Sequence, residues 1–155
     1  AWVEPENLHV TLLFLGEVDH RECIDICRAA HKAVGKTQSF AMSVEGMGAF
    51  PNPRRPRTLW VGVGAGKAEV SEVHDLIEAP LLDMGSYRRE TRAYTPHVTL
   101  GRVKGERNDE VLAKALTKHA AWSAGETMVN EVIVMTSELT SNGPIYTVVG
   151  RAKLM

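Results

Sequence analysis

The tetrapeptide His-Val-Thr-Leu occurs twice in this chain, as His9-Val10-Thr11-Leu12 and as His97-Val98-Thr99-Leu100. A bare His-x-Thr is cheap by chance, but the full four letters are not, so the pair reads as a repeated structural unit. In a strand, residues two apart share a face. His9 and Thr11 therefore lie on one side with Val10 and Leu12 on the other, and His97 and Thr99 repeat the arrangement against Val98 and Leu100. The pattern constrains the fold to two similar strands, each with an apolar face to bury and a polar face to present.

The rest of the chain supplies the layers. Leu8 to Leu15 reads as a buried strand between Pro5 and Gly16. Asp19 caps a helix over about residues 20–34, with Ile24, Cys27, Ala30 and Val34 as its apolar stripe. Phe40 to Val44 alternates and is broken by Gly46, Gly48 and Pro51. The basic loop Arg54-Arg55-Pro56-Arg57 leads to a strong strand at Thr58–Val63. A helix over Ala68–Met84 carries Pro80 as a kink or early stop. His97 to Val103 is the second motif strand, and a helix follows over about Asp109–Ala121. Met128–Thr136 and Ile145–Ala152 are strands joined by a Ser141-Asn142-Gly143-Pro144 turn. The order β-α-β-β-α-β-α-β-β predicts an α+β fold, not a doubly wound parallel sheet. It reads as one bilobal domain over residues 1–155, with one motif in each half.

If the halves pack as a pseudo-twofold pair, the polar faces meet in a cleft holding two imidazoles and two hydroxyls. That set suits phosphate-ester chemistry. One neutral imidazole takes a proton from the nucleophile, while a protonated one gives a proton to the leaving oxygen. The threonine hydroxyls can hold non-bridging oxygens at ~1 kcal/mol each. A half-buried strand face with satisfied polar groups is the plainer explanation of a single motif, and the matched pair argues against it.

Composition sets limits on partners. The net charge is −1, so no global field pulls the chain toward nucleic acid or anionic lipid, and any polyanion site must be local. No apolar run approaches the ~20 residues of a membrane-spanning helix. Cys23 and Cys27 do not form a secreted disulfide framework, and a reducing cytoplasm is the default. With His31 they fall at i, i+4 and i+8, which imitates a metal site but lacks a fourth ligand. His20, His31, His74 and His119 are expected on solvated helix faces.

The chain resembles the 2H phosphoesterase superfamily, specifically its LigT-like RNA 2′,3′-cyclic phosphodiesterases. The carrying residues run from Trp2 to Gly16, through Gly48-Ala49-Phe50-Pro51, Arg54–Arg57 with Leu59–Val63 and Pro96–Arg102, to Ser137-Glu138-Leu139 and Pro144–Thr147. The resemblance implies two mainly antiparallel sheets with outer helices around a central cleft. It also implies a hydrolase needing no metal or other cofactor, which opens a terminal 2′,3′-cyclic phosphate on RNA to a 2′-phosphate. His97 would activate water as general base, His9 would protonate the departing 3′ oxygen, and Thr11 and Thr99 would bind the phosphate. RNA ends are the expected partner; no membrane and no obligate protein partner are expected.

Further candidates are open to two readings. Arg102 is five residues after His97, an offset that puts it on the opposite face unless a bulge or twist after Gly101 brings it round to the phosphate. Phe14 could stack on a nucleobase, but its setting between Leu13 and Leu15 favours the core. Arg57, with Arg54 and Arg55, either lines the cleft or is a solvated loop. Tyr146 is near the cleft by resemblance, or simply packed. Family members begin with a strand and a helix ahead of the segment matched by Trp2, so an N-terminally incomplete domain is expected. Alternative substrates with the same chemistry are a small cyclic nucleotide or a 2′–5′ linked oligonucleotide. A different class, a non-catalytic RNA-end binding module, would keep the same residues without turnover.

Overall fold

Asp19 starts the first helix, α1 (His20–Val34), its Oδ1 accepting a hydrogen bond from the Glu22 amide at 2.8 Å. Such a cap contributes about 1 kcal/mol. The computed structural model describes residues 1–85, 87–105 and 110–155. After α1 come β1 (Phe40–Phe50), β2 (Thr58–Val63), α2 (Lys67–Asp83), β3 (His97–Arg102), α3 (Glu110–Lys118), β4 (Ser123–Val129), β5 (Glu131–Thr140) and β6 (Gly143–Lys153). The helix start expected at Asp109 lies outside the described residues. Among the described residues no helix is long and apolar enough to cross a membrane.

The chain divides into two compact units. The first comprises Ala1–Leu12, Ala41–Ala68 and Tyr94–Thr127. Its sheet has the order β3-β2-β1-β4, and the β1–β2 and β2–β3 pairs are antiparallel. One face carries Ala49 and Leu59 against Leu116 of α3, with Met47, Leu100, Val103 and Leu112 packed around them. β1 does not end at the glycines as the sequence suggested. It runs to Phe50, because the register shifts between Val44 and Met47 and Gly46 absorbs the irregularity at φ +82°.

Both His-Val-Thr-Leu copies fall in this one unit, not one in each half as expected. The first copy is also not a full strand. Among the described residues, Val10 alone of Leu8–Leu15 makes a β-bridge, to Val98, and a 3-10 turn at Pro5–Asn7 precedes it. An apolar run becomes a strand only where a neighbour supplies a ladder, and here that neighbour is met at one residue.

The second unit comprises Leu13–Phe40, Glu69–Ala93 and Met128–Met155. α1 packs on β6, burying Ile26, Ala30 and Val34, and Cys27 fills the space over Gly150. Ile24, expected in the stripe, is 43% exposed. At 3.6 residues per turn it lies about 120° around the helix from Ala30, whereas Ile26 is only about 40° away. β5 and β6 form an antiparallel hairpin through the expected turn. The strand expected over Met128–Thr136 is two strands, broken at Asn130, whose carbonyl accepts the Leu154 amide. α2 passes Pro80 and continues to Asp83, since proline removes only one ladder bond near the helix end. His74, expected at a solvated face, is buried. Its Nδ1 meets Asp75 Oδ1 at 2.9 Å, and its Nε2 lies 3.6 Å from Glu78. Glu78, buried as well, accepts from Tyr87 Oη and Arg89 Nε at 3.2 Å each, so a buried carboxylate is paired as it must be.

Candidate active site

The Val10–Val98 bridge is antiparallel and joins equivalent positions of the two repeats. Pairing a segment with its own copy in this way creates a local twofold axis between the two valines. Extending the register by one residue sets His9 opposite Thr99 and Thr11 opposite His97. In that register all four would lie on one side of the pair, with the valines on the other. In ideal antiparallel geometry the diagonal neighbours, here the two histidines, are roughly 7–8 Å apart.

Both imidazoles are anchored alike. His9 Nδ1 is 2.6 Å from the Asn7 carbonyl oxygen, and His97 Nδ1 is 2.7 Å from that of Thr95. A carbonyl only accepts, so in each ring Nδ1 carries the proton and donates it. The neutral tautomer is thereby fixed with Nε2 as the basic nitrogen. The 3-10 turn at Pro5–Asn7 positions the first anchor. The second is set by Pro96, buried and restricting Thr95 to extended backbone.

Arg102 joins the same face through an irregularity in β3. Trp60 pairs with Thr99 but Leu59 pairs with Gly101, so Leu100 is the extra residue and turns into the core. After it the alternation resumes in opposite phase, and Arg102 pairs with Thr58. Its Nη1 donates to Thr58 Oγ1 at 3.3 Å. The bulge therefore precedes Gly101 instead of following it.

Two aromatic rings frame the second histidine. Phe50 meets the His97 ring edge-on, with centroids 5.1 Å apart at 86°, and Trp60 lies at 6.1 Å. Phe50 and Trp60 are 5.2 Å apart. Gly48 leaves the room Trp60 needs, because a Cβ there would stand 2.4 Å from Trp60 Cζ2. Tyr94, half-buried, donates from Oη to the Thr11 carbonyl at 2.9 Å, and burial pushes its phenol above the ordinary range. The sequence reading did not single out Phe50, Trp60, Gly48 or Tyr94 as site residues. The available signal was the Gly-x-Phe spacing of β1 opposite a lone tryptophan in β2.

The remaining candidates are placed as follows. Arg57 is exposed at the entry to β2, its amide donating to the Phe50 carbonyl at 2.8 Å. Asn52 Oδ1 gathers the Arg54 and Arg55 amides at 3.0 Å each, which shapes that loop. Phe14 and Tyr146 belong to the second unit. Phe14 is 74% exposed, against the expectation of a core position, while Leu13 and Leu15 are half-buried. It lines a cavity of about 370 Å³ with Leu15, Gly16, Gly85, Tyr87 and Arg88. Tyr146 pairs with Ser137 and is half-buried. Among the described residues no three His, Cys, Asp or Glu side chains group as a metal would require, and Cys23 and Cys27 are free thiols.

Residues 1–140 match the 2′-5′ RNA ligase superfamily. A curated relative from Archaeoglobus fulgidus, named RNA 2′,3′-cyclic phosphodiesterase, is 41% identical over 145 residues, covering 93% of this chain and 78% of that protein. One of the same name from Aeropyrum pernix is 40% identical over 144 residues, covering 93% of this chain and 80% of the relative. Among solved structures, a Thermus thermophilus protein superposes with a TM-score of 0.82 at 26% identity, covering 99% of this chain and 81% of the other. E. coli LigT complexed with 3′-AMP shares the fold, with a TM-score of 0.77 at 21% identity over 99% of this chain and 80% of its own. With the family matched over nearly the whole chain, at such identity and with the same fold, this chain belongs to the 2′-5′ RNA ligase superfamily, the 2H phosphoesterases.

Proposed function

We propose that this chain hydrolyses the terminal 2′,3′-cyclic phosphate of RNA to a 2′-phosphate, without a metal. The observation that carries the reading is the matched anchoring of two imidazoles, each with Nδ1 donated to a carbonyl, on neighbouring antiparallel copies of one motif. The names of the relatives supply the substrate class. His97 Nε2 takes a proton from water as the water oxygen bonds to phosphorus. The P–O3′ bond breaks, and O3′ takes the proton from Nε2 of a protonated His9. The product keeps its phosphate on O2′, and solvent exchange resets the two rings. The assignment of base to His97 and acid to His9 follows the family resemblance. Thr11 and Thr99 donate to non-bridging oxygens, and Arg102 balances the charge that grows on them. Arg57 contributes positive charge along the RNA backbone. Phe14 offers an exposed ring for stacking, and the family resemblance makes Tyr146 a substrate contact. The two free thiols support a reducing compartment such as the cytoplasm.

The deciding experiment is hydrolysis of a 2′,3′-cyclic mononucleotide in EDTA, followed by 31P NMR. Turnover to the 2′-phosphate is expected to survive EDTA and to vanish in His9→Ala and in His97→Ala. A requirement for added divalent metal, or binding without turnover, would overturn the reading.

Arg102 gives a second expected outcome. Arg102→Ala lowers kcat about 10²-fold, the scale of removing one donor to transition-state charge. Arg102→Lys restores only part of this, since an ammonium lacks the planar fork that meets both Thr58 and a phosphate oxygen. Equal kcat in wild type and Arg102→Ala would remove the residue from the phosphate site.

A further inference from the structure

The first motif is weakly held for a segment that carries a reacting group. Among the described residues its β-pairing is the single bridge at Val10, whereas the second motif sits inside β3 with β2 along its length. Upstream the segment is tied to the same strand by the Trp2–Gly101 bridge and the Val3 amide on the Leu100 carbonyl, and His9 is held by the Asn7 carbonyl, but among the described residues no bridge follows Val10, so the backbone at Thr11 needs another hold.

We propose that Tyr94 is a positioning residue that locks the first motif to the second through its hydroxyl. Its Oη donates to the Thr11 carbonyl at 2.9 Å, one residue beyond the bridging Val10. In the chain Tyr94 directly precedes Thr95, whose carbonyl holds Nδ1 of His97. One residue thus grips the first motif with its side chain and leads by its backbone into the anchor of the second histidine. The two contacts, Val10–Val98 and Tyr94–Thr11, sit side by side, and together they hold the backbone at Thr11. Burial pushes the phenol further above its ordinary value, so the hydroxyl stays a donor. Tyr94 acts through the backbone of Thr11.

The kinetic arm rests on the phosphodiesterase reading, and a structural arm does not. Tyr94→Phe removes the hydroxyl and keeps the ring. It is expected to lower kcat about tenfold with KM changed less than about twofold, since misaligned reacting groups lose transition-state stabilisation in preference to ground-state binding. In the unliganded protein, NMR is expected to show shifts at the His9 ring and the Thr11 and Leu12 amides, larger than those at the His97 ring. Tyr94→Leu, which also removes the ring, is expected to lower Tm clearly more than Tyr94→Phe. Wild-type kcat in Tyr94→Phe overturns the proposal, and so does a kcat loss that merely tracks Tm across the two variants. Unchanged His9 and Thr11 resonances overturn it as well. A wild-type chain inactive on the cyclic substrate overturns the phosphodiesterase reading, and the NMR comparison then decides Tyr94 by itself.

Discussion

His97→Ala is expected to lower kcat for cyclic phosphate opening about 10²–10⁴-fold, the usual worth of a positioned acid or base, and His9→Ala by a similar factor. The two losses are not additive, because acid and base act in one transition state; the double variant should be little worse than the poorer single one. A substrate with sulfur in place of the bridging 3′ oxygen separates the roles. A thiolate leaves without protonation, so this substrate should recover most of the activity of His9→Ala and little of His97→Ala. Recovery in His97→Ala alone would exchange the two assignments. The anchors predict a further asymmetry between backbone and side chain. Asn7→Ala and Thr95→Ala keep the carbonyls that hold Nδ1, so both should retain activity within a few-fold of wild type.

Gly48→Ala is expected to damage stability and turnover together. The new Cβ would lie 2.4 and 2.5 Å from Cζ2 and Cη2 of Trp60, well inside contact distance for a rigid ring. Overpacking of this kind costs about 1–3 kcal/mol. For a domain of this size that lowers Tm by roughly 2–4 °C per kcal/mol. The displaced indole presses on Phe50 and His97, so kcat should fall about tenfold as the imidazole turns from its alignment. Among the described residues the buried Trp60 Nε1 has no hydrogen-bond partner, so packing against Phe50, His97 and Gly48 is what sets the ring. Thermal melts and kinetics of Gly48→Ala, Trp60→Leu and the double variant form the check. The double variant should regain most of the Tm lost in Gly48→Ala but not its kcat. A Gly48→Ala protein with wild-type Tm and kcat would show that the indole can shift freely.

Elements whose signal is local were legible in the sequence. α1 begins at the residue that Asp19 marks and ends at Gly35, because caps and period are properties of consecutive residues. β2 spans the expected Thr58–Val63 for the same reason. The misread elements depend on a distant neighbour. Leu8–Leu15 has the composition of a strand but meets a ladder only at Val10. Glycines 46 and 48 look like breakers and are instead a bulge and a slot inside β1. Phe14 is exposed although it stands in an apolar run, which does not itself say what packs over it, whereas the exposure of Ile24 follows from its place about 120° around α1 from Ala30.

By itself the sequence determined the repeat, and with it the shared face of His97 and Thr99 in β3, since alternation in an extended chain is covalent geometry. It also determined the family. Only the tertiary structure decided that both motifs lie in one unit, that Val10 meets Val98, and that each imidazole donates Nδ1 to a carbonyl two residues upstream. Only the structure brought Arg102 onto the face of His97 and Thr99, through the extra residue at Leu100. Register and bulges are set by the pairing of segments far apart in the chain, and that pairing is fixed by the packing of their apolar faces as a whole. No local pattern encodes it.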